Sequence, residues 1–316
     1  MLSAASIYRG GMTTADLGNV SIEYEITGEG EPLLLVMGLS CQLIHWPDEF
    51  VELIASRGFR VIRFDNRDIG LSTKFAGEPV GIGRTLASLV SRRLARSEYL
   101  LADMADDAAG LLDHLGIEAA HVVGVSMGGM IAQSIAIGHP DKVLSLTSIM
   151  SNTGDRRSGR PATALIRRMP GLMGGAPDND GNITEEILAN GVEIGRLISG
   201  PHFNETDERA MIKRAFDRNY SPAGTMRQVM AISASPNRTK ALHEVTAPTL
   251  VIHGLVDPLV QPSGGIATAQ AVPGSRLLMF PDMGHDLPRS RWGEIVDAIA
   301  TNAHRAQAAT ASTSAR

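Results

Sequence analysis

Ala120-His121-Val122-Val123-Gly124-Val125-Ser126-Met127-Gly128-Gly129-Met130 runs from an apolar stretch straight into glycines that bracket one serine. The residues before Ser126 read as a buried strand, and those after it as a helix that ends near Gly138-His139-Pro140. A strand that turns into a helix at Gly-x-Ser-x-Gly leaves no room for side chains two positions before and after the serine, and its strained backbone holds the hydroxyl out of the fold. The pattern alone is common and would suit any glycine-rich turn. Its place between strand and helix makes Ser126 a candidate nucleophile.

The chain on either side alternates strand and helix. Asn19 to Thr27 (NVSIEYEIT) alternates apolar and polar residues as a half-exposed strand does, and Pro32 to Met37 (PLLLVM) is a solid apolar run that reads as a buried strand. Trp46 to Ser56 then places Phe50, Val51, Ile54 and Ala55 on one helical face, and Gly58 closes the helix before the strand FRVIRFD. Tyr99 to Leu115 repeats the helical spacing with Leu101, Met104, Ala108, Leu111, Leu112 and Leu115 and stops at Gly116. After Ser126 come the strand VLSLTSIM, then PTLVIHG, a helix over 262–271, the strand SRLLMF and a helix from Ser290 to His304. This alternation predicts an α/β fold, a mostly parallel sheet with helices on both faces.

One region breaks the alternation. From Asn152 to Ala241 short helical patterns such as ITEEILANGVEIGRLI and ERAMIKRAFDR are separated by Gly, Pro, Asp and Asn clusters, with no buried-strand run. We read residues 1–151 and 242–304 as the core, 152–241 as a helical cap inserted into it, and 305–316 as a disordered tail. The cap holds Met169, Met173, Met211, Met226 and Met230, which suit an adaptable pocket lining or ordinary helix packing. Segment 82–97, with Leu86, Leu89, Val90 and Leu94 opposite Arg92, Arg93 and Arg96, reads either as a flap over the site or as a solvated surface helix.

Composition narrows the function classes. With 316 residues and 43% hydrophobic content the chain can bury a large core. Lys+Arg 29 against Asp+Glu 34 gives a net charge of −5 with the signs interleaved, so no basic surface points to nucleic acid. The single cysteine, Cys41, excludes an intrachain disulfide and a cysteine-based metal cluster and reads as a small buried residue. No apolar run has the length of a signal-peptide core or a membrane span, and we expect a cytoplasmic protein; a homo-oligomer is left open.

A serine hydroxyl needs a base, and the base needs an anion to orient it. His285 follows the strand SRLLMF in the loop Phe280-Pro281-Asp282-Met283-Gly284-His285-Asp286, at a strand end where ligands of such sheets bind. His121, His139, His253 and His304 occupy positions that suit packing or a chain end. Asp257, in the loop after PTLVIHG, is the candidate acid, with Asp155 as its rival; Asp282 and Asp286 flank His285 too closely. Acyl transfer also needs two N–H groups for the oxyanion. Met127 at the helix start and Leu39 after Gly38 are the candidates, and a plain glycine turn is the alternative at Gly38.

The order Ser126, Asp257, His285 is that of the α/β-hydrolases. The chain resembles α/β-hydrolase-fold serine esterases in Met37-Gly38, Phe64-Asp65-Asn66-Arg67-Asp68-Ile69-Gly70-Leu71-Ser72, the serine turn, Gly254-x-x-Asp257 and Gly284-His285. LLLVMG, HWPDEF, VIRFDNRDIGLST, HVVGVSMGG and MGHDLP are similar to the aclacinomycin methylesterase type, which demethylates esters on polyketides. The resemblance implies a Ser126–His285–Asp257 triad, no metal or organic cofactor, a small-molecule ester substrate, and a packing role with an Asp–Arg pair for the block from Asp65 to Ser72. The chain departs from that type at Leu39, where it has glycine, and in a longer region 76–98. Lactone, thioester or C–C bond hydrolysis and perhydrolysis use the same residues, and a non-catalytic receptor of this fold is a further alternative.

Overall fold

The apolar run after Glu31 becomes the centre of the sheet. In the computed structural model, which describes residues 13–76, 97–172 and 174–314, strand β3 (Glu31–Val36) has Leu33, Leu34, Leu35 and Val36 fully buried. Successive side chains point to opposite faces, so Leu34 and Val36 enter one hydrophobic cluster while Leu33 and Leu35 enter the other. A strand buried on both faces has no polar positions to alternate, which is why the run reads as solid.

The remaining strands are β1 (Thr13–Asp16), β2 (Ser21–Thr27), β4 (Phe59–Phe64), β5 (Ala120–Val125), β6 (Val143–Ile149), β7 (Thr249–Gly254) and β8 (Arg276–Phe280). They form an eight-stranded sheet in the order β1-β2-β4-β3-β5-β6-β7-β8. β1–β2 and β2–β4 pair antiparallel, and every later pair is parallel. β1 had no sequence signal: it is a short edge strand with a mostly exposed pattern, held by its pairing to β2.

Helix α1 (Asp48–Ala55) packs on one face with the C-terminal helix α10 (Trp292–Ser314), through Phe50, Val51, Ile54, Ile295, Val296 and Ile299. Helices α2 (Leu101–His114) and α3 (Met127–Gly138) cover the other face. The chain therefore leaves β3 toward one face and reaches β5 from the other, so β3 and β5 flank the point where the strand order reverses. In open sheets of this kind the ligand crevice lies beyond the carboxyl ends of that strand pair.

Between β6 and β7 the described residues hold α4 (Thr163–Leu172), α5 (Glu185–Ile198), α6 (Glu205–Arg218), α7 (Pro222–Ala234) and α8 (Thr239–Leu242), and α9 (Ser263–Ala271) lies between β7 and β8. The expected tail at 305–316 differs in the structure: α10 runs on to Ser314, ten residues past the anticipated end. An Ala-rich run has high helix propensity, and Ala303 and Ala306 are buried against the core. Segment 82–97 falls almost wholly on residues 77–96, outside the described residues, as do the first twelve residues and Met173.

The turn after β4 binds this insertion to the core, and the expected Asp–Arg pair takes an unexpected form. Arg67 does not pair within the turn. It makes a two-pronged contact with Asp107 on α2, Nε to Oδ2 at 2.6 Å and Nη2 to Oδ1 at 2.7 Å, while its guanidinium lies over Phe75 and Tyr99. Asp65 accepts from Leu43 N (2.7 Å), Leu71 N (2.8 Å) and Arg218 of α6 (2.6 Å). Asp68, fully buried, accepts from Phe75 N, Tyr99 Oη and both prongs of Arg227 on α7. Burial, aided by the Asp68 carboxylate, raises the Tyr99 hydroxyl well above its ordinary value, so it stays a donor.

Removing Arg227 would leave the Asp68 charge buried without its cation. We expect Arg227→Met to lower the unfolding free energy by about 3–5 kcal/mol, the cost of breaking one side of a buried ion pair, as read by urea denaturation.

Candidate active site

Gly124 and Gly128 are small because backbone passes where their side chains would be, and Gly129 because the Ser151 side chain does. A Cβ on Gly124 would stand 2.1 Å from Gly128 O, one on Gly128 would stand 2.0 Å from Val36 O, and one on Gly129 would meet Ser151 Cβ at 2.7 Å. Between them Ser126 is held at φ 55°, ψ −119°, a left-handed φ that a non-glycine residue avoids at a cost on the order of 1–3 kcal/mol. Ser126 N donates to Ile149 O (2.9 Å) and its carbonyl accepts from Met130 N (3.2 Å), which fixes both sides of the turn.

β8 and β7 end beside it. His285 Nε2 lies 2.8 Å from Ser126 Oγ and His285 Nδ1 lies 2.7 Å from Asp257 Oδ2. With a carboxylate at Nδ1, that nitrogen carries the proton and Nε2 accepts from the serine hydroxyl. Asp257 is 3% exposed and its other oxygen, Oδ1, accepts from Leu259 N (2.8 Å) and Val260 N (2.9 Å), so the loop itself holds the carboxylate. The rival Asp155 accepts instead from Arg157 N (3.0 Å) in a local turn. Asp286 accepts from Gly200 N and Gly284 N, and Asp282 pairs with Arg291 and His202, which hold its carboxyl down at about 2.

His253 is fully buried, donates from Nε2 to Val260 O (2.7 Å) and has its pKa lowered by burial, as a packed neutral imidazole should. Cys41 is no rival nucleophile, since burial, with Glu208 nearby, pushes its thiol up to about 12.

Gly38 abuts the serine: a Cβ there would lie 3.3 Å from Ser126 Cβ and 3.9 Å from Oγ. The Leu39 and Met127 N–H groups therefore come from the two strand exits that meet at Ser126. Neither N–H has a hydrogen-bond partner among the described residues. The Met127 side chain is 1% exposed and packs into the core beneath α3.

Nothing local in the sequence marks how the insertion reaches these loops. His285 N donates to Ile198 O (2.7 Å) at the end of α5, and a Cβ on Gly284 would stand 2.3 Å from Gly200 N. Gln228 on α7 accepts from Ser40 N (3.0 Å) and donates to Arg67 O (3.0 Å). These partners lie far apart in sequence, and no local pattern marks them. A separate depression of about 550 Å³, lined by Gly30, Pro32, Arg60, Glu118 and Asp141 among others, opens at the amino ends of the strands, away from Ser126. Among the described residues no group of three or more His, Cys, Asp or Glu is arranged to hold a metal ion, and no helix is long and apolar enough to cross a membrane.

A sequence profile of the alpha/beta hydrolase fold matches residues 31–288, a span that holds the serine turn at the sheet's reversal point and the exits of β7 and β8 that carry Asp257 and His285. The chain belongs to the α/β-hydrolase family. It is 30% identical over 278 residues to rhodomycin D methylesterase DauP of Streptomyces sp. (strain C5), covering 81% of this chain and 85% of that one. It is 27% identical over 271 residues to a 2-hydroxymuconate semialdehyde hydrolase of Pseudomonas putida, covering 82% of each. Among solved structures, an enol-lactonase from Burkholderia xenovorans LB400 superposes with a TM-score of 0.69 at 21% identity, over 92% of this chain and 99% of that one. That last likeness speaks to fold alone.

The glycine contacts can be tested within one helix. Gly128→Ala should cost about 3 kcal/mol or more, because a backbone carbonyl must move, whereas Gly138→Ala at the other end of α3, with nothing within 4 Å of the added carbon, should be neutral or slightly stabilising. Thermal melts of the two variants separate these outcomes.

Proposed function

We propose that the protein is a serine carboxylic-ester hydrolase that acts on a small to medium apolar ester through Ser126, His285 and Asp257. The observation that carries the reading is the unbroken chain from Asp257 Oδ2 through the His285 ring to Ser126 Oγ, at 2.7 and 2.8 Å. The methylesterase relative, at 30% identity over most of both chains, favours an ester among the bonds this fold hydrolyses.

Ser126 Oγ attacks the ester carbonyl as its proton passes to His285 Nε2. Asp257 holds the imidazole with Nε2 toward the serine and stabilises the cation that forms. The carbonyl oxygen becomes an oxyanion and accepts from the Leu39 and Met127 N–H groups, the second of which lies at the N-terminus of α3, where the helix dipole favours negative charge. The tetrahedral intermediate collapses, the C–O bond to the alcohol breaks, and His285 gives its proton to the departing oxygen. Water then attacks the acyl-enzyme, losing a proton to His285, and a second collapse returns that proton to Ser126 and releases the acid. These steps call for no metal or organic cofactor. The aspartate that serves as nucleophile in haloalkane dehalogenases and epoxide hydrolases of this fold is here a serine.

The rival within the fold is cleavage of a C–C bond, favoured by the 2-hydroxymuconate semialdehyde hydrolase relative. We expect turnover of p-nitrophenyl esters from acetate to octanoate, lost by a factor of about 10⁴ or more in Ser126→Ala and of about 10³–10⁴ in kcat for Asp257→Asn, with melting temperatures near that of the parent. Hydrolysis of a vinylogous 1,5-diketone in preference to every ester would overturn the ester reading in favour of the C–C one. Absence of both activities, in protein that a fluorophosphonate does not label at Ser126, would sink the enzyme reading altogether.

A further inference from the structure

The turn that offers the Leu39 N–H is strained, and the residue that holds it comes from the insertion. Cys41 N donates to Gly38 O at 3.3 Å, closing a four-residue turn over Gly38-Leu39-Ser40-Cys41. Ser40, its third residue, has φ +62°, the left-handed value that such a turn demands and that glycine or asparagine would adopt more readily. The peptide between Leu39 and Ser40 can flip to a turn without that strain. In the observed orientation its N–H points at Gln228 Oε1, 3.0 Å away.

Gln228 is fully buried on α7, and its amide is saturated in one sense only, because Nε2 donates to Arg67 O at 3.0 Å and thereby leaves Oε1 facing Ser40. The near end of the same loop is held by Asn66 Nδ2, which donates to Met37 O at 3.0 Å. Each peptide is planar with its N–H opposite its C=O, so the bond from Cys41 to Gly38 O sets the direction of the Leu39 N–H. A flip of the next peptide keeps that bond but takes the Ser40 N–H off Gln228, so that the turn carrying Leu39 is no longer tied to α7.

We infer that Gln228 is a positioning residue for the oxyanion donor: by accepting from Ser40 N it holds the turn in which Leu39 N–H faces the reacting carbonyl, and so couples the seating of the insertion to turnover. The inference rests on the serine-hydrolase reading above. It assigns Gln228 no contact with substrate.

The test compares the parent, Gln228→Met, Ser40→Gly and the double variant. Methionine fills the volume but cannot accept from Ser40, and glycine at position 40 removes the strain that the bond opposes. For Gln228→Met we expect kcat on p-nitrophenyl acetate to fall about 10- to 100-fold with KM changed less than about threefold, as for a displaced oxyanion donor. Affinity for a trifluoromethyl ketone, which forms the tetrahedral adduct, should fall in proportion. The double variant should recover most of kcat, and Ser40→Gly alone should resemble the parent. The inference is overturned if Gln228→Met keeps its kcat, if the loss lies in KM, or if glycine at position 40 restores nothing while the melting temperatures agree.

The rate of Ser126 labelling by a fluorophosphonate, whose phosphoryl oxygen needs the same donors, is measured in parallel on all four proteins. If the parent is labelled but hydrolyses no ester, the ester reading fails while the labelling rates still decide the role of Gln228. If the parent is not labelled, both fail together.

Discussion

The close approach of α3 to the end of β3 governs the rest of the molecule. Gly128 passes so near the Val36 and Met37 carbonyls that any side chain would displace backbone, with an added carbon only 2.0 Å from Val36 O. The parallel register that sets Val36 opposite Gly124 fixes how far each strand runs before it must turn. Ser126 is then forced into its strained conformation beside Gly38, and the two strand exits that flank the sheet's reversal point meet at one hydroxyl. Strain of this kind persists only where the surroundings overdetermine it, and here the bonds from Ser126 N to Ile149 O and from Met130 N to Ser126 O supply that constraint.

The insertion between β6 and β7 is more than a cover. It touches three of the loops at the carboxyl ends of the strands: Ile198 and Gly200 hold the His285 loop, Gln228 holds the exit of β3, and Arg218 and Arg227 hold the turn after β4 through Asp65 and Asp68. Burying a carboxylate is costly unless it is paired and its lone pairs are filled. Asp68 meets that condition with four donors from three separate segments, and so does the Arg67–Asp107 pair inside the core. Such contacts make the placement of the insertion part of the site's geometry, because a shift in α7 would move Arg227 and Gln228 together.

Much of the core was legible in the sequence. The double-sided burial of β3, the α1 and α2 faces, the strand-turn-helix at Ser126 and the strand-end positions of Asp257 and His285 follow from periodicity, helix stops and the sterics of a tight turn, and all of them appear in the structure. β1 was not legible, since four mostly exposed residues carry no periodicity and owe their conformation to pairing with β2. The C-terminal helix was read as ending too early, because composition alone does not show that Ala303 and Ala306 find the core.

The sequence by itself determined what local rules can encode: which segments are strands or helices, where the chain must be glycine, and which serine, histidine and aspartate stand at strand ends. The tertiary structure alone decided the partners. Asp257 rather than Asp155 reaches His285, Arg67 turns to Asp107 while Arg218 and Arg227 come to Asp65 and Asp68, and Gln228 closes on Ser40 across 188 positions of chain. A side chain's hydrogen-bonding capacity is written in its residue type, but its partner depends on which backbone groups the packed layers leave exposed to it, and that is set only when the whole sheet and its insertion have come together.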